Sequence, residues 1–213
     1  MQRRSFLISS VGLSATFAAG TALRAQEPSP PEIKRIEEDW YILVGDPDPE
    51  IDAPQIVTVF GPTNPKTGIH SIFELNHGTQ PDYSEGGMQL QCWYANSLVG
   101  YRRQHAPAEL YIANEVITFT TAFEIVYGYQ LLMEVIEGRS DSWGEFGGTR
   151  SLRHSVESNL GNLNDFDPAD SIKNSRVTFG SNRVKIYKRK EIRYFTEAGL
   201  DHTDTTETIV EQW

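Results

Sequence analysis

Cysteine occurs once in the 213 residues, at position 92. A single cysteine excludes an intramolecular disulfide and every zinc site built on cysteine pairs. Basic residues are also scarce, 19 against 29 acidic, for a formal charge of −10. Three of the 19, Arg3, Arg4 and Arg24, fall within the first 25 positions, which hold no acid. The rest of the chain therefore carries 16 basic and 29 acidic groups, or −13. Such a domain repels nucleic-acid phosphates and anionic membrane surfaces, and suits neutral glycans, cations or basic partners. Helical periodicity is rare, and no internal repeat of solenoid or propeller length is present.

Catalytic and metal motifs are missing as well. There is no Gly-x-Ser-x-Gly, which removes the usual serine hydrolase elbow. His77, His105, His154 and His202 show no His-x-x-x-His spacing. No Glu-x-Asp-x-x-Glu strand occurs, the arrangement that sets a nucleophile and an acid on one face in laminarinase-type sandwich hydrolases. Glu134 and Glu137, three apart in a strand, are expected on opposite faces.

What is present begins with a leader. Positions 1–25 run from a basic start, through an apolar stretch containing Val11, Leu13 and Phe17, to small residues at Ala22–Ala25. This is the plan of a cleavable export signal. Its apolar stretch is too short, and too rich in Ser, Gly and Thr, for a comfortable membrane anchor. Arg3, Arg4, Phe6 and Leu7 resemble the bacterial twin-arginine signal, with Gln2 and Ile8 departing from the commonest pattern. That resemblance implies a cargo that folds before crossing the inner membrane, bound for the periplasm or beyond; with no cysteine following the apolar stretch, no stable membrane anchor is expected after cleavage. A general secretory leader shares the basic start and stays open as the alternative. Residues 26–32 form a Pro-rich spacer, and 33–213 are expected to make one domain.

Within 33–213, short runs of alternating or continuous apolar residues lie between Gly, Pro, Asn and Asp clusters. Strands are expected at 40–44, 55–60, 69–75, 88–95, 109–113, 116–119, 123–127, 129–136, 176–179, 183–187 and 191–195. Residues 152–174 and the tail from Asp201 are the polar remainder. This spacing predicts an all-β fold, an antiparallel sandwich or jelly roll. The cadence of Phe123–Gly138, then Ser140–Gly147, then Ser175–Val184 leading to Ile192-Arg-Tyr194, resembles concanavalin A-like sandwiches of the laminin G or lectin type. The resemblance covers the C-terminal half of the domain and carries over no functional residue.

Two candidate sites follow. In Met88–Tyr94, period two places Met88, Leu90, Cys92 and Tyr94 on one face, and Gln89, Gln91 and Trp93 on the other. An outward face of that kind stacks a ring on a sugar and offers amides to its hydroxyls. Tyr101, Arg102 and Arg103 stand just beyond and would extend it. Cys92 reads as a small buried hydrophobe, with a nucleophile as the alternative. Acidic loops suggest calcium: Asp46, Asp48 and Asp52 in one, and Asp165 and Asp167 beside Asn164 and Asp170 in another. The competing reading is that these residues do turn chemistry.

The leading expectation is an exported, non-catalytic binding module for a periplasmic or extracellular glycan, with no cofactor beyond calcium. The alternatives are a sandwich-fold carbohydrate-active enzyme, lyase or hydrolase, and a cell-envelope interaction domain. A groove with convergent Arg, His, Tyr and carboxylate groups would favour the enzyme.

Overall fold

The computed structural model describes residues 29–45, 56–61, 68–76, 87–106, 112–148, 151–179 and 183–212. The leader residues Arg3, Arg4, Phe6 and Leu7, and the loop acids Asp46, Asp48 and Asp52, lie outside them, as does His77. From Pro31 onward the chain forms one compact unit. The all-β expectation holds, with two antiparallel sheets and one short helix, α1 (Pro168–Asn174), among the described residues.

The larger sheet is built on four long strands in the order β11 (Val184–Thr196), β1 (Arg35–Val44), β6 (Val116–Val126) and β7 (Gln130–Ser140). Each outer long strand pairs with two short ones. β11 takes β13 (Thr208–Gln212) along its first half and β12 (Gly199–Asp204) along its second. β7 takes β9 (Arg153–Glu157) along its first half and β8 (Gly144–Gly147) along its second. The smaller sheet runs β10 (Arg176–Phe179), β2 (Ile56–Phe60), β3 (Ile69–Asn76), β4 (Gly87–Tyr94) and β5 (Ser97–Gln104).

The two sheets meet through alternate residues, as half-buried strands require. Ile36, Trp40, Ile42 and Val44 face inward from β1, and Phe73, Leu75, Met88, Leu90 and Cys92 from the smaller sheet. Trp40 stacks on Tyr187 at 5.1 Å, and its Nε1 donates to Thr121 Oγ1 at 3.0 Å, so the buried indole nitrogen is satisfied. Phe73 meets Phe119 across the interior at 5.1 Å. One buried ion pair interrupts this apolar layer: Arg189 Nη1 donates to Glu38 Oε1 at 2.8 Å, and Ser171 of α1 donates to the same oxygen at 3.2 Å.

The structure revises several local expectations. The runs at 116–119 and 123–127 are one strand, as are those at 183–187 and 191–195. Bulges let the chain continue where the apolar alternation breaks, for example between Asp39 and Trp40 on β1 opposite β11. β8 lies between the expected strands at 129–136 and 176–179, the 152–174 stretch contains β9 and α1, and the polar tail forms β12 and β13. The expected strand at 109–113 lies outside the described residues up to 111, and Ala113 enters a turn. Glu134 and Glu137 are corrected too. Thr120 pairs with Glu137 and Thr121 with Val135, so a bulge absorbs Ile136. That extra residue puts both glutamates on the outer face.

Candidate functional site

A two-residue turn, Ala95-Asn96, joins β4 to β5 with φ of 46° and 65°. Positive φ at both positions is the hairpin geometry that follows strand twist. The turn fixes the register. Gln89 faces Arg103, Gln91 faces Tyr101, and, past a bulge, Trp93 faces Leu98. On the other side, β3 sets Glu74 opposite Gln89, Ile72 opposite Gln91 and His70 opposite Trp93. Five of the six residues expected to form a binding face, Gln89, Gln91, Trp93, Tyr101 and Arg103, therefore share the outer face of the smaller sheet. Arg102 is opposite Leu90 and falls on the inner face.

The side chains of that face are ordered by hydrogen bonds. Arg103 Nε donates to Gln89 Oε1 at 2.6 Å, and Gln89 Nε2 donates to Glu74 Oε2 at 2.5 Å. From the other direction, Trp93 Nε1 donates to Gln91 Oε1 at 2.8 Å, and Gln91 Nε2 donates to Glu74 Oε1 at 3.0 Å. Both oxygens of Glu74 thus receive an amide, and both glutamine amides are oriented by what they accept. Gln91 is partly exposed and Gln89 is buried, so of the two amides it is that of Gln91 that a ligand can reach.

The aromatic groups are placed around this chain. Trp93 is partly exposed and stacks on His70, with ring centroids 6.2 Å apart and planes 14° from parallel. It is neither fully solvated nor in the core. Tyr101 is 46% exposed, and the Arg103 guanidinium lies 4.8 Å from its ring centre. Val59 and Ile72 continue the Gln91–Tyr101 row toward Arg176, giving the polar chain an apolar border. Burial lowers the pKa of His70, a backbone hydrogen bond involving Gly68 opposes the shift, and the charge of Arg176 adds to it.

His70 and Glu74 were not among the sequence candidates. The alternation of Ile69, Phe73 and Leu75 does place His70, Ile72 and Glu74 on the opposite face. Their meeting with Gln91 and Trp93 depends on the β3–β4 register, and the ten residues between those strands leave it open.

The other candidates fall elsewhere. Cys92 is fully buried, and burial pushes its thiol up to about 12, which leaves it protonated and inert at neutral pH. Asp167 Oδ1 accepts from Ala169 N at 2.8 Å, capping α1 ahead of Pro168. Asp165 is exposed in the preceding turn. Among the described residues, no three His, Cys, Asp or Glu side chains are grouped to hold a metal. No described helix is long and apolar enough to cross a membrane.

The fold and this face define an antiparallel β-sandwich with a polar, aromatic-bordered outer sheet. No protein-family model matches the chain, and no curated protein matches it. Among solved structures, an ancestral congerin aligns at TM-score 0.30 and 10% identity, covering 70% of this chain and 90% of that one. Scytalido-glutamic peptidase with a transition state analog inhibitor aligns at 0.31 and 8%, covering 83% and 82%. SCP-B, a peptidase of the eqolisin family, aligns at 0.26 and 9%, covering 84% and 82%. Likeness at this level carries no inference about activity.

Proposed function

We propose that the protein is an exported binding module that takes a neutral glycan on the outer face of its smaller sheet. The observation that carries this reading is the hydrogen-bonded chain Arg103–Gln89–Glu74–Gln91–Trp93, which fixes an indole and two amides beside the exposed Tyr101. Sugar recognition needs an aromatic surface for the C–H face of a pyranose and oriented amides for its hydroxyls. Side chains already held in place lose little entropy when a ligand arrives. Glu74 accepts from both amides and so fixes the Gln91 amide, the partly exposed one, beside Trp93.

The test is titration of the mature protein with neutral oligosaccharides of glucose, xylose, mannose and galactose. Trp93→Ala and Gln91→Ala should each weaken binding at least about tenfold, the loss of roughly one stacking or hydrogen-bonding contact. Binding unchanged in both variants would refute the proposal.

Delivery outside the cytoplasm rests on the leader. Replacing Arg3 and Arg4 by Lys should block the twin-arginine route. Undiminished export of the double variant would show that the leader does not act through its arginine pair.

A further inference from the structure

β9 packs against β4 and β5 as well as pairing with β7, and so closes one side of the sandwich. Beside it lies a concavity of about 330 Å³, lined by residues that include Arg102, Tyr127, Gln130, Arg153, His154 and Ser155. That volume is at the lower end of small-ligand pockets, which run from about 300 to 1,000 Å³. The glycan face described above uses the outer side of β5, whereas Arg102 projects from its inner side. The two places are distinct.

Three features mark the concavity. First, it gathers two guanidinium groups in a chain of net charge −10. Arg153 has Glu134 at 3.9 Å, longer than a hydrogen bond, and Arg102 Nη1 donates to the Tyr101 carbonyl at 2.8 Å. Guanidinium groups carry several donors each and match a carboxylate in two-pronged geometry. Second, the concavity adds uncharged polar groups to the guanidiniums, beside His154, whose pKa is lowered by burial and, after that, by the charge of Arg102. His154 Nε2 is buried against Gly100, so the uncharged polar groups that the pocket offers to hydroxyls are the Gln130 and Ser155 side chains.

Third, Tyr127 occupies the tip of the β6–β7 turn with φ of 54°, followed by Gly128 at 71°. Tyr129 N donates back to the Val126 carbonyl at 3.4 Å, which closes the turn. The first of two left-handed positions ordinarily takes Asn, Asp or Gly, because a Cβ there is strained. Tyr127 is nonetheless 84% exposed. Its ring contributes little to the core, so the backbone cost is not offset by burial. Strain retained at an exposed aromatic points to a role in contact with something outside the fold.

We infer that this concavity binds a carboxylate-bearing sugar residue, with Arg102 and Arg153 taking the acid group and Tyr127 lying against the ring. Arginine pairs alone would suit any oxyanion. The exposed aromatic at their rim and the neutral polar groups between them select an acidic sugar over a bare anion.

Calorimetric titration of the mature protein tests this with trisaccharides of galacturonate, glucuronate and mannuronate, their neutral hexose counterparts, and inorganic phosphate. At least one uronate should bind, with its neutral counterpart at least about tenfold weaker. Arg102→Gln should lose about tenfold in affinity, the loss of one charge-assisted contact. Tyr127→Asn should lose affinity without a lower melting temperature, since Asn accepts the left-handed backbone. Trp93→Ala should leave uronate binding within about twofold, which separates this site from the glycan face. The inference is overturned if no uronate binds at millimolar concentration, if acid and neutral sugars bind alike, or if phosphate matches the uronate and Tyr127→Asn changes nothing.

Discussion

The imidazole of His154 lies directly over the backbone of Gly100, so that a methyl group on Gly100 would fall 2.6 Å from Nε2. Gly100 has an ordinary negative φ, so its role here is space rather than conformational freedom. The expected consequence is a non-additive pair. Gly100→Ala should destabilise by about 1–3 kcal/mol through overpacking. In a His154→Ala background the same change should cost well under half as much. Urea denaturation of the four proteins measures this, and equal costs in both backgrounds would show that the contact is not what constrains Gly100.

The buried pair of Glu38 and Arg189 should behave differently from the surface ion pairs. Removing one partner strands the other charge inside the sandwich, so Arg189→Met should cost about 3–5 kcal/mol. Replacing both, as Glu38→Leu with Arg189→Met, should recover much of that loss, because two apolar groups need no compensation. By contrast Lys188→Ala, which removes an exposed-side pair with Glu207, should change the denaturation midpoint little.

Acid sensitivity should trace in part to two histidines. Burial lowers the pKa of both His70 and His154 below the ordinary value of 6.5. The unfolded chain therefore takes up these protons first as pH falls. The stability linked to them is fully present above pH 6.5 and is lost progressively as pH falls toward the folded values. A His70→Gln, His154→Gln double variant should show a shallower loss of stability between about pH 7.5 and 5.5 than the unaltered protein. Identical slopes would remove the histidines from the acid response.

Legibility of the fold followed the apolar alternation. Met88, Leu90 and Cys92 could be set in the core, and Gln89, Gln91 and Trp93 on the outer face, because period two needs only the strand itself; Tyr94, grouped with the first three, is exposed at the strand's end. The elements that escaped notice are those whose burial is supplied by partners. β12 has six residues, five of them exposed, and β9 carries one buried side chain, Val156, so neither has an alternating apolar signal. The bulge at Ile136 likewise turns Glu134 and Glu137 to one face with no mark in the local sequence. For the candidate face, residue identities were legible and the register was not. Glu74 meets Gln89 and Gln91 only because β3 and β4 pair as they do, and pairing is a tertiary outcome. The pocket beside β9 is hidden for the same reason: Arg102, Tyr127 and His154 come from three separate strands and turns.

The central claim is that Trp93, held by Gln91 and His70, is a sugar-stacking residue on an outer sheet face. The decisive measurement is a paired one on Trp93→Ala: binding to the neutral oligosaccharide that the unaltered protein prefers, and a urea denaturation curve. A partly exposed ring fixed by one hydrogen bond and one stacking contact should cost about 1–2 kcal/mol of stability when removed, less than the roughly 3–5 kcal/mol of a core tryptophan. The account predicts that modest loss together with loss of binding of at least about tenfold. Full retention of binding, or a core-sized loss of stability, would contradict it.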